Sequence, residues 1–385
     1  MSVSVLYIHS SASLYGSDQS LLHLVSNLDR DRFNPIVVVP EDGPLIPLLN
    51  DLRVKVHIRP LCILHRTLSP KYWIHTLFEI PPTRKYLCKL VEDLDIRLIH
   101  SNSSHVFDGA MAARATGIPH AWHIRELHTG LSKIGRPLSR FIYSYSDAII
   151  AISQAVCEAF FERCLYDPKL HVIYNGVDTR EFASISGTTV RSALGLGHNV
   201  PLVGMVGRIA HWKGHRVFVE AASIVHEKLP QARFLIVGDG VVPADYRLKR
   251  DLQSLVHKLG LDGVVIFTGV RTDIPEVMAA LDVLVLPSTY PEPLGRVVLE
   301  AMASARPVVA TNHGGPVEIV RDGETGYLVL PGDPQKTAEA ILTLLRNPTL
   351  SSQMGAAGRN LCTQFYTTES TAQAVMQLYE KLLTR

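Results

Sequence analysis

Short apolar runs alternate with helical patterns along nearly the whole chain, and this alternation limits the fold more than any other feature. In the first half the runs cover residues 3–8, 36–39, 54–58, 96–100, 148–152 and 172–173. A second series covers 202–206, 234–237, 264–267, 283–286 and 308–310. Most of these runs are continuously apolar, which is typical of parallel strands buried on both faces. The sequence therefore predicts an α/β fold.

A turn and a small polar stretch separate the two series. Asn175-Gly176-Val177-Asp178 has the composition of a turn, and Ser, Thr and Gly are frequent in residues 184–189. A chain of 385 residues is also too long for one ordinary core. We therefore predict two Rossmann-like domains, 1–183 and 184–368. Because doubly wound sheets bind ligands at the carboxyl ends of their strands, we expect an active-site cleft between two facing domains.

Composition and charge narrow the class of protein. A hydrophobic content of 46% with 19% charged residues is typical of a globular protein. The 38 basic and 36 acidic residues nearly cancel, so nothing indicates a nucleic-acid partner. Residues 1–9 lack a signal peptide's basic leader, and no apolar run approaches the ~20 residues of a membrane span. These features predict a cytoplasmic protein.

The cysteines favour the same compartment. The chain has five, at Cys62, Cys88, Cys157, Cys164 and Cys362. Their number is odd and no two have Cys-x-x-Cys spacing, so we expect reduced thiols.

Two glutamates, Glu292 and Glu300, lie on either side of a predicted helix start. Pro293 disfavours a helical conformation at Glu292, so the helix should begin at about Leu294 or Gly295. The free N–H groups of a helix start can bind a phosphate, while carboxylates on either side accept hydrogen bonds from hydroxyls. A nucleotide sugar presents both kinds of group. The alternative is an amphipathic helix with one solvated and one loop glutamate.

Two basic residues follow the first strand of the second domain. Arg208 and Lys213 lie in a strand-to-helix turn, where together they could neutralise a diphosphate. The alternative is ordinary solvated charge. In the first domain, Gly16 opens the helix after the first strand, where a glycine lets a ligand approach the backbone, although a plain N-cap turn accounts for it equally well. His123 ends an apolar stretch where the crevice of this domain should open, or it is a packed core histidine.

Two other patterns do not predict sites. Val237-Gly238-Asp239-Gly240 resembles a dinucleotide fingerprint only superficially, because Pro243 stands where the third glycine belongs. The acidic pairs at 29–31 and 93–95 fall at predicted helix ends rather than after strands, so they do not indicate a metal site.

Together these residues resemble the retaining glycosyltransferases of the GT-B fold, specifically glycosyltransferase family four. The resemblance extends over nearly the entire length. It is strongest in Gly207-Arg208 with Lys213-Gly214, in residues 234–240, 282–288 and 292–302, and in Gly314-Gly315-Pro316-Val317-Glu318. It is weaker in Gly16-Ser17-Asp18, in His123 with Glu126, and in Asn175-Gly176-Val177-Asp178.

The resemblance implies a role for each candidate residue. Arg208 and Lys213 would hold the donor diphosphate, helped by backbone N–H groups of Gly16, Leu294, Gly295, Arg296 and Val297. Glu300 would bind the donor ribose, Glu292 and His123 the transferred sugar, and the loop at Val270 and Arg271 the base. The resemblance also implies that no metal or other cofactor is needed, and that a C-terminal helix at about 369–385 packs on the first domain.

The chain departs from the family pattern at two places. Tyr15-Gly16 replaces a frequent double glycine, and Asp18 stands where Glu is common. Ala305 occupies a position that is usually glycine at the end of the Glu300 helix. A left-handed conformation is unfavourable for alanine, so we expect this helix to end by a different turn.

A basic, aromatic segment bears on the acceptor. Residues 53–90 contain one acid, Glu79, and eight basic residues: Arg53, Lys55, Arg59, Arg66, Lys71, Arg84, Lys85 and Lys89. The interleaved aromatic residues include Tyr72, Trp73, Phe78 and Tyr86. This composition fits peripheral contact with the anionic inner face of the cell membrane, as a lipid-linked acceptor requires, or an ordinary solvated face.

The sequence therefore predicts a metal-independent retaining glycosyltransferase. It would transfer a hexosyl or N-acetylhexosaminyl group from a nucleotide sugar to a glycan, a lipid-linked or a small-molecule acceptor. A GT-B sugar-nucleotide epimerase uses the same donor contacts and is one alternative. A non-catalytic nucleotide- or carbohydrate-binding protein would keep the fold without needing Glu292 and His123. A nicotinamide oxidoreductase fits poorly, because no glycine fingerprint follows the first strand.

Overall fold

The computed structural model describes residues 2–64, 70–127, 135–161 and 164–384, without the side chains of 70–77 and 165. It divides into two compact units, which we call unit 1 (Met1–Gly176 with Thr368–Arg385) and unit 2 (Val177–Thr367). The boundary predicted from sequence, between 183 and 184, falls slightly further along the chain.

Unit 1 is built on a parallel sheet. Its strands are β1 (Val3–Ile8), β2 (Phe33–Val39), β3 (Lys55–Ile58), β4 (Ile96–Ser101), β5 (His120–Ile124), β6 (Ala148–Ala151) and β7 (Leu170–Val172). The seven strands lie in the order β3-β2-β1-β4-β5-β6-β7. The helices that follow them are α1 (Gly16–Ser26), α2 (Leu45–Asp51), α3 (Pro70–Asp93), α4 (Asp108–Thr116), α5 (Gly135–Ser144) and α6 (Gln154–Phe160).

Unit 2 repeats this plan. Its helices are α7 (Thr179–Phe182), α8 (Thr188–Ala193), α9 (His215–Lys228), α10 (Pro243–Lys258), α11 (Ile274–Ala280), α12 (Arg296–Ala303), α13 (Pro316–Ile319), α14 (Pro334–Arg346) and α15 (Pro348–Phe365). Its strands are β8 (Leu202–Val206), β9 (Arg233–Val237), β10 (Val265–Gly269), β11 (Val283–Leu286), β12 (Val308–Thr311) and β13 (Gly326–Val329). The six strands are parallel and lie in the order β10-β9-β8-β11-β12-β13. The predicted α/β class with two Rossmann-like sheets is therefore confirmed.

Both sheets contain a topological switch point. The strand order reverses direction between β1 and β4 in unit 1, and between β8 and β11 in unit 2. The connections after two such strands pass to opposite faces of the sheet, which leaves a crevice at their carboxyl ends. The central strand β1 is buried on both faces, with Leu6 and Ile8 in one core cluster and Val5 and Tyr7 in another. A continuous apolar sequence is what such strands require.

The last helix of the chain, α16 (Thr368–Leu383), belongs to unit 1. Its apolar face packs against β1 and α1 through Ala372, Val375, Leu378, Tyr379 and Leu382. In the described part of the chain, no helix combines the length and the apolar character needed to cross a membrane.

The prediction of reduced thiols is wrong for Cys157 and Cys164, which form a disulfide. Their separation of seven residues is not a familiar pairing motif. However, α6 ends at Phe160, and the Cα atoms of the two cysteines lie 5.9 Å apart. This distance suits a disulfide. Cys62, Cys88 and Cys362 are free thiols.

The prediction for the end of the Glu300 helix is also wrong. Ala305 adopts the left-handed conformation, with φ of 54°. The N–H of Arg306 bonds to the carbonyl of Ala301, and the N–H of Ala305 to that of Met302, each at 2.9 Å. These two bonds form the Schellman motif that usually contains glycine. The hydrogen bonds keep this geometry although an alanine strains it.

Candidate active site

Four polar residues of unit 2 follow the two strands at its switch point. Arg208 and Lys213 follow β8, whereas Ser288 and Glu292 follow β11, the neighbouring strand. Lys213 is far from Ser288 and Glu292 in sequence. The three residues meet because parallel neighbours in a sheet end at the same edge.

Lys213 and Glu292 form a largely buried ion pair. Lys213 Nζ lies 2.7 Å from Glu292 Oε1, and their side chains are 15% and 4% exposed. The Ser288 hydroxyl donates to the same Oε1 atom. Within the described residues, Oε2 of Glu292 accepts no hydrogen bond from the protein. The protein therefore orients the carboxylate through one oxygen.

Arg208 is anchored through its Nε atom. Nε donates to Asp245 Oδ2 at 3.0 Å, and the same oxygen accepts from the N–H groups of Val241 and Val242. Burial raises the pKa of Asp245, but these hydrogen bonds and the guanidinium outweigh burial and lower it. The contact uses only the Nε atom of Arg208. The sequence analysis did not single out Asp245, because it lies on a different helix, α10.

Glu292 is held in place by its backbone as well. The N–H of Gly315 bonds to the Glu292 carbonyl at 2.8 Å. A Cβ atom on Gly314, whose φ is 74°, would lie 2.5 Å from the same carbonyl oxygen. Only glycine fits so close to another backbone in this conformation. The Gly314-Gly315 segment therefore supports the loop that carries Glu292.

Helix α12 begins at Arg296, slightly later than predicted. Gly295 precedes it with a φ of 87°, so the chain makes a left-handed turn before the first helical residue. Leu294 and Gly295 lie in this turn, and Val297 lies in the first turn of the helix. Glu300 is one turn further on, with Oε1 2.9 Å from Arg296 Nε.

The remaining candidates of unit 2 lie at the sheet edge. Val270 and Arg271 follow β10, an edge strand. Val270 is 76% exposed. The Arg271 side chain is held by Asp273, with Nε 2.9 Å from Oδ1.

The structure adds one histidine near Glu292 that the sequence analysis missed. His313 follows β12, and burial lowers its pKa whereas the nearby Glu292 raises it. Its Nδ1 is buried and has no hydrogen-bond partner within the described residues. Nothing in the local sequence His313-Gly314-Gly315 predicts that this histidine lies near Glu292.

In unit 1, His123 is the second-last residue of β5, near the carboxyl end of the strand. Its side chain is fully buried. Its Nδ1 lies 3.3 Å from both Arg125 Nη2 and His100 Nε2. Nε2 is buried without a hydrogen-bond partner in the described part of the chain. Burial, together with the charge of Arg125, holds the pKa of His123 well below its usual range.

Gly16 and Glu126 are the other candidates of unit 1. Gly16 is the first residue of α1, and no heavy atom lies within 4 Å of the place its Cβ would occupy. Glu126 follows β5, and its carboxylate accepts hydrogen bonds from Ser103 and Ser104. Burial raises its pKa, but hydrogen bonds and charge from His105 and the two serines lower it to about 2. Among the described residues, no three His, Cys, Asp or Glu side chains are grouped as metal ligands.

Two adjacent family models cover most of the chain. The model described as Glycosyltransferase Family 4 matches residues 15–181, and Glycosyl transferases group 1 matches 188–361. Crystal structures of HepE from Anabaena, among them a complex with UDP, have the same fold. That complex has a TM-score of 0.85 and 26% identity, covering 99% of this chain and 100% of HepE.

Curated relatives agree with these matches. The alpha-maltose-1-phosphate synthase of Mycobacterium tuberculosis is 30% identical over 314 residues, covering 74% of this chain and 79% of the relative. An Escherichia coli UDP-Gal:alpha-D-GlcNAc-diphosphoundecaprenol alpha-1,3-galactosyltransferase is 26% identical over 363 residues, covering 91% and 89%. The fold and the site thus define a GT-B type glycosyltransferase. The chain belongs to the glycosyl transferases group 1 family, in glycosyltransferase family four.

Proposed function

We propose that this glycosyltransferase takes its sugar from a nucleoside-diphosphate sugar and retains the anomeric configuration without a metal ion. The observation that carries the proposal is the Lys213–Glu292 ion pair, with Arg208 in the same turn after β8 and with α12 beginning shortly after Glu292. It combines cationic donors suited to a diphosphate with a carboxylate oxygen suited to a sugar hydroxyl.

The cations act on the leaving group. Lys213 has three N–H groups and uses one on Glu292, and Arg208 keeps its terminal nitrogens after binding Asp245. As the glycosidic bond breaks, negative charge grows on the diphosphate. Fixed cations, and N–H groups of the 294–297 segment and of Gly16, would stabilise that charge in the transition state. In this scheme side chains and backbone supply the charge stabilisation that a metal ion supplies elsewhere.

The carboxylates and the histidine act on the sugar part of the donor. Glu292 Oε2 accepts from a hydroxyl of the transferred sugar, and His123 Nε2 donates to another. Glu300 accepts from the ribose, and the backbone at Val270 and Arg271 holds the base. The acceptor attacks from the face that the diphosphate leaves, so the anomeric configuration is retained.

The relatives suggest which substrates to test first. The HepE structures include complexes with UDP and with UDP-glucose, and the name of the E. coli relative specifies a UDP-galactose donor and a diphosphoundecaprenol-linked acceptor. We therefore propose a uridine-diphosphate hexose or N-acetylhexosamine as donor. A lipid-linked or free glycan is the first acceptor class, and a small molecule is the second.

A panel of nucleotide sugars tests the proposal. The matched donor should raise the melting temperature, since a ligand at a concentration of 100 times its Kd stabilises the folded state by about 2.7 kcal/mol. It should also release nucleoside diphosphate when an acceptor is added. If the donor were converted to its epimer in the absence of an acceptor, the chain would be a sugar-nucleotide epimerase and not a transferase. Turnover that EDTA abolishes and Mg²⁺ or Mn²⁺ restores would refute metal independence.

We also propose that α3 contacts the anionic inner face of the cell membrane, where a lipid-linked acceptor lies. Phe78 is 77% exposed, Lys85 follows it about two turns later, and Lys89 lies one turn beyond Lys85 on the same exposed side of the helix. Arg84 is exposed beside them. The backbone of Arg66 and the side chains of Lys71, Tyr72 and Trp73 lie outside the described residues. Tyr86 does not take part, because its hydroxyl bonds to His57 Nδ1 at 2.7 Å.

Vesicle sedimentation tests this contact. Binding to anionic vesicles should fall steeply with salt, because surface attraction is screened within about 10 Å at 0.1 M. The double variant Lys85→Glu with Lys89→Glu should lose binding. The matched double variant Lys228→Glu with Lys258→Glu, on exposed sites of unit 2, should keep it. Equal binding to neutral vesicles, or none to anionic ones, would leave an ordinary solvated face.

A further inference from the structure

Four segments that are distant in sequence meet in one buried network of unit 1. One carries His9 and Asp18, and the others carry Asn102, Arg125 and Asn175. Asp18 Oδ1 accepts from His9 Nε2 at 2.8 Å, and His9 Nδ1 lies 2.9 Å from the amide nitrogen of Asn102. The Asn102 and Asn175 carbonyl oxygens both accept from Arg125. The network therefore runs from the start of α1 to the end of β5.

Arg125 is the centre of this network. Its Nε and Nη2 donate to Asn102 Oδ1 at 3.0 and 2.8 Å, and Nη1 donates to Asn175 Oδ1 at 2.7 Å. The residue is 7% exposed. Burial lowers its pKa to about 10, so the guanidinium stays charged at neutral pH. Hydrogen bonds through Nε, Nη1 and Nη2 thus hold the planar guanidinium group in place. Its Nη2 atom also lies 3.3 Å from His123 Nδ1.

This contact determines where His123 carries its proton. A guanidinium has donors only, so His123 Nδ1 must be the acceptor. A neutral imidazole then carries its proton on Nε2. His123 Nδ1 also lies 3.3 Å from His100 Nε2, and His100 Nδ1 lies 2.6 Å from the hydroxyl of Tyr379 on α16, which donates to the Tyr7 hydroxyl at 2.9 Å. The assignment of the His123 tautomer therefore rests on the contact with the charged Arg125 guanidinium, which has no acceptor atom.

The proton on Nε2 is the unmatched part of this arrangement. Within the described residues no acceptor lies within hydrogen-bonding distance of Nε2, although the atom is fully buried. An unpaired buried donor destabilises a fold, so a chain that keeps one usually uses it on a ligand. We propose that Arg125 is a positioning residue, which fixes His123 as the neutral Nε2–H tautomer so that Nε2 donates to a hydroxyl of the transferred sugar. The sugar contact rests on the proposed function, whereas the tautomer does not.

Nuclear magnetic resonance of histidine-labelled protein tests the tautomer without any substrate. The ¹⁵N signals of His123, assigned by their loss in His123→Gln, should show a neutral ring protonated on Nε2 from pH 8 to pH 5. In Arg125→Gln the ring should populate the Nδ1–H form or titrate within this range. An Nδ1–H ring in the unmodified protein, or an unchanged ring in Arg125→Gln, would overturn the inference.

Kinetics with the matched donor test the consequence for transfer. Arg125→Gln should lower kcat by about tenfold or more and leave the donor KM within about twofold, because the lost contact matters mainly in the transition state. Arg125→Lys keeps the charge and should recover part of kcat. Arg191 is the matched control, since it is an equally buried arginine that binds Ala280, Val200 and Asp282 in unit 2.

Arg191→Gln should lower the melting temperature but leave the His123 signals and kcat of the folded enzyme unchanged. A displaced tautomer in Arg125→Gln with unchanged kcat would refute the positioning role. If no nucleotide sugar is turned over by the unmodified chain, the proposed function fails, and the resonance experiment still decides the tautomer.

Discussion

The two switch points have the same topology but are built from differently exposed groups. In unit 2, the Arg208 and Lys213 side chains are 43% and 15% exposed and keep N–H groups for another anion. In unit 1, Asp18 and Asn102 are fully buried and engaged in a closed network with Arg125. The only unmatched donor of that network within the described residues is His123 Nε2.

The difference follows from what each set of groups has to do. A diphosphate brings its own charge, so the groups that hold it must stay accessible and only partly neutralised before it arrives. A single imidazole tautomer, in contrast, is fixed only where water cannot compete for the hydrogen bonds of the ring and where the neighbouring polar groups already have hydrogen-bond partners. One strand order therefore supports an accessible anion site in unit 2 and a preorganised donor in unit 1.

The largest expected effect comes from removing a cation of unit 2. Lys213→Ala should lower kcat by about a hundredfold or more, because one preorganised group at developing charge typically contributes that much. Steady-state kinetics with the matched donor measure it. Lys249→Ala is the matched control, since Lys249 forms a 2.8 Å ion pair with Asp239 in the same unit. Equal losses in both variants would show that Lys213 has only a structural role.

The two glutamates of unit 2 separate binding from catalysis. Glu292→Gln should lower kcat by about tenfold to a hundredfold with the donor KM largely kept, because a hydrogen bond to a charged group contributes about 1.5–3 kcal/mol. Glu300→Gln should instead raise the donor KM with little change in kcat, because the ribose changes little during transfer. Melting curves check that both variants fold. If Glu292→Gln kept the kcat of the unmodified enzyme, Glu292 would be a loop residue without a role in catalysis.

The burial that organises unit 1 should also make it sensitive to acid. Burial lowers the pKa of His120 from 6.5 to about 4, although the Tyr145 carbonyl and Asp147 raise it. In the unfolded chain His120 is protonated below about pH 6.5, whereas in the folded chain it is protonated only below about pH 4. Stability is lost as the pH falls through this window, by about 2 kcal/mol at pH 5 for this residue. His120→Gln should reduce the difference in unfolding free energy between pH 8 and pH 5 by that amount.

Urea titrations at several pH values measure this difference. Ser101→Ala is the control, because it removes the 2.9 Å contact with His120 Nε2 but keeps the titrating group. It should lower stability at every pH and leave the pH dependence intact. A His120→Gln variant with the original pH dependence would contradict the assignment of acid sensitivity to this buried ring.

The smallest expected effect concerns the helix that carries Glu300. Ala305→Gly should raise the unfolding free energy by up to about 1 kcal/mol, because it relieves a left-handed alanine. Ala356→Gly, on an exposed position inside α15, should lower it by about 1 kcal/mol. Thermal melting of both variants shows whether the unfolding free energy rises in the first and falls in the second. A destabilised Ala305→Gly would mean that the methyl group contributes packing that outweighs the strain.

Local sequence determined the elements and several of their bounds. The runs 202–206 and 283–286 coincide with β8 and β11, because a continuous apolar run suits a strand covered on both faces. The strands β5 and β13 were missed as strands, since His120 and His123 interrupt the first and Gly326 opens the second. Pro293 correctly kept Glu292 out of the helix, but the left-handed Gly295 delayed its start to Arg296.

Only the tertiary structure decided which residues meet. Lys213 reaches Glu292 across 79 positions, and Arg125 reaches Asn175 across 50, because the carboxyl ends of parallel strands lie at one edge of a sheet. The disulfide and the conformation of Ala305 depended on the same kind of information, namely how the chain returns on itself. Amino-acid types and spacings determined the strands, the helix starts and the chemical groups available. Strand order and burial decided which groups are paired, because both depend on contacts between distant segments.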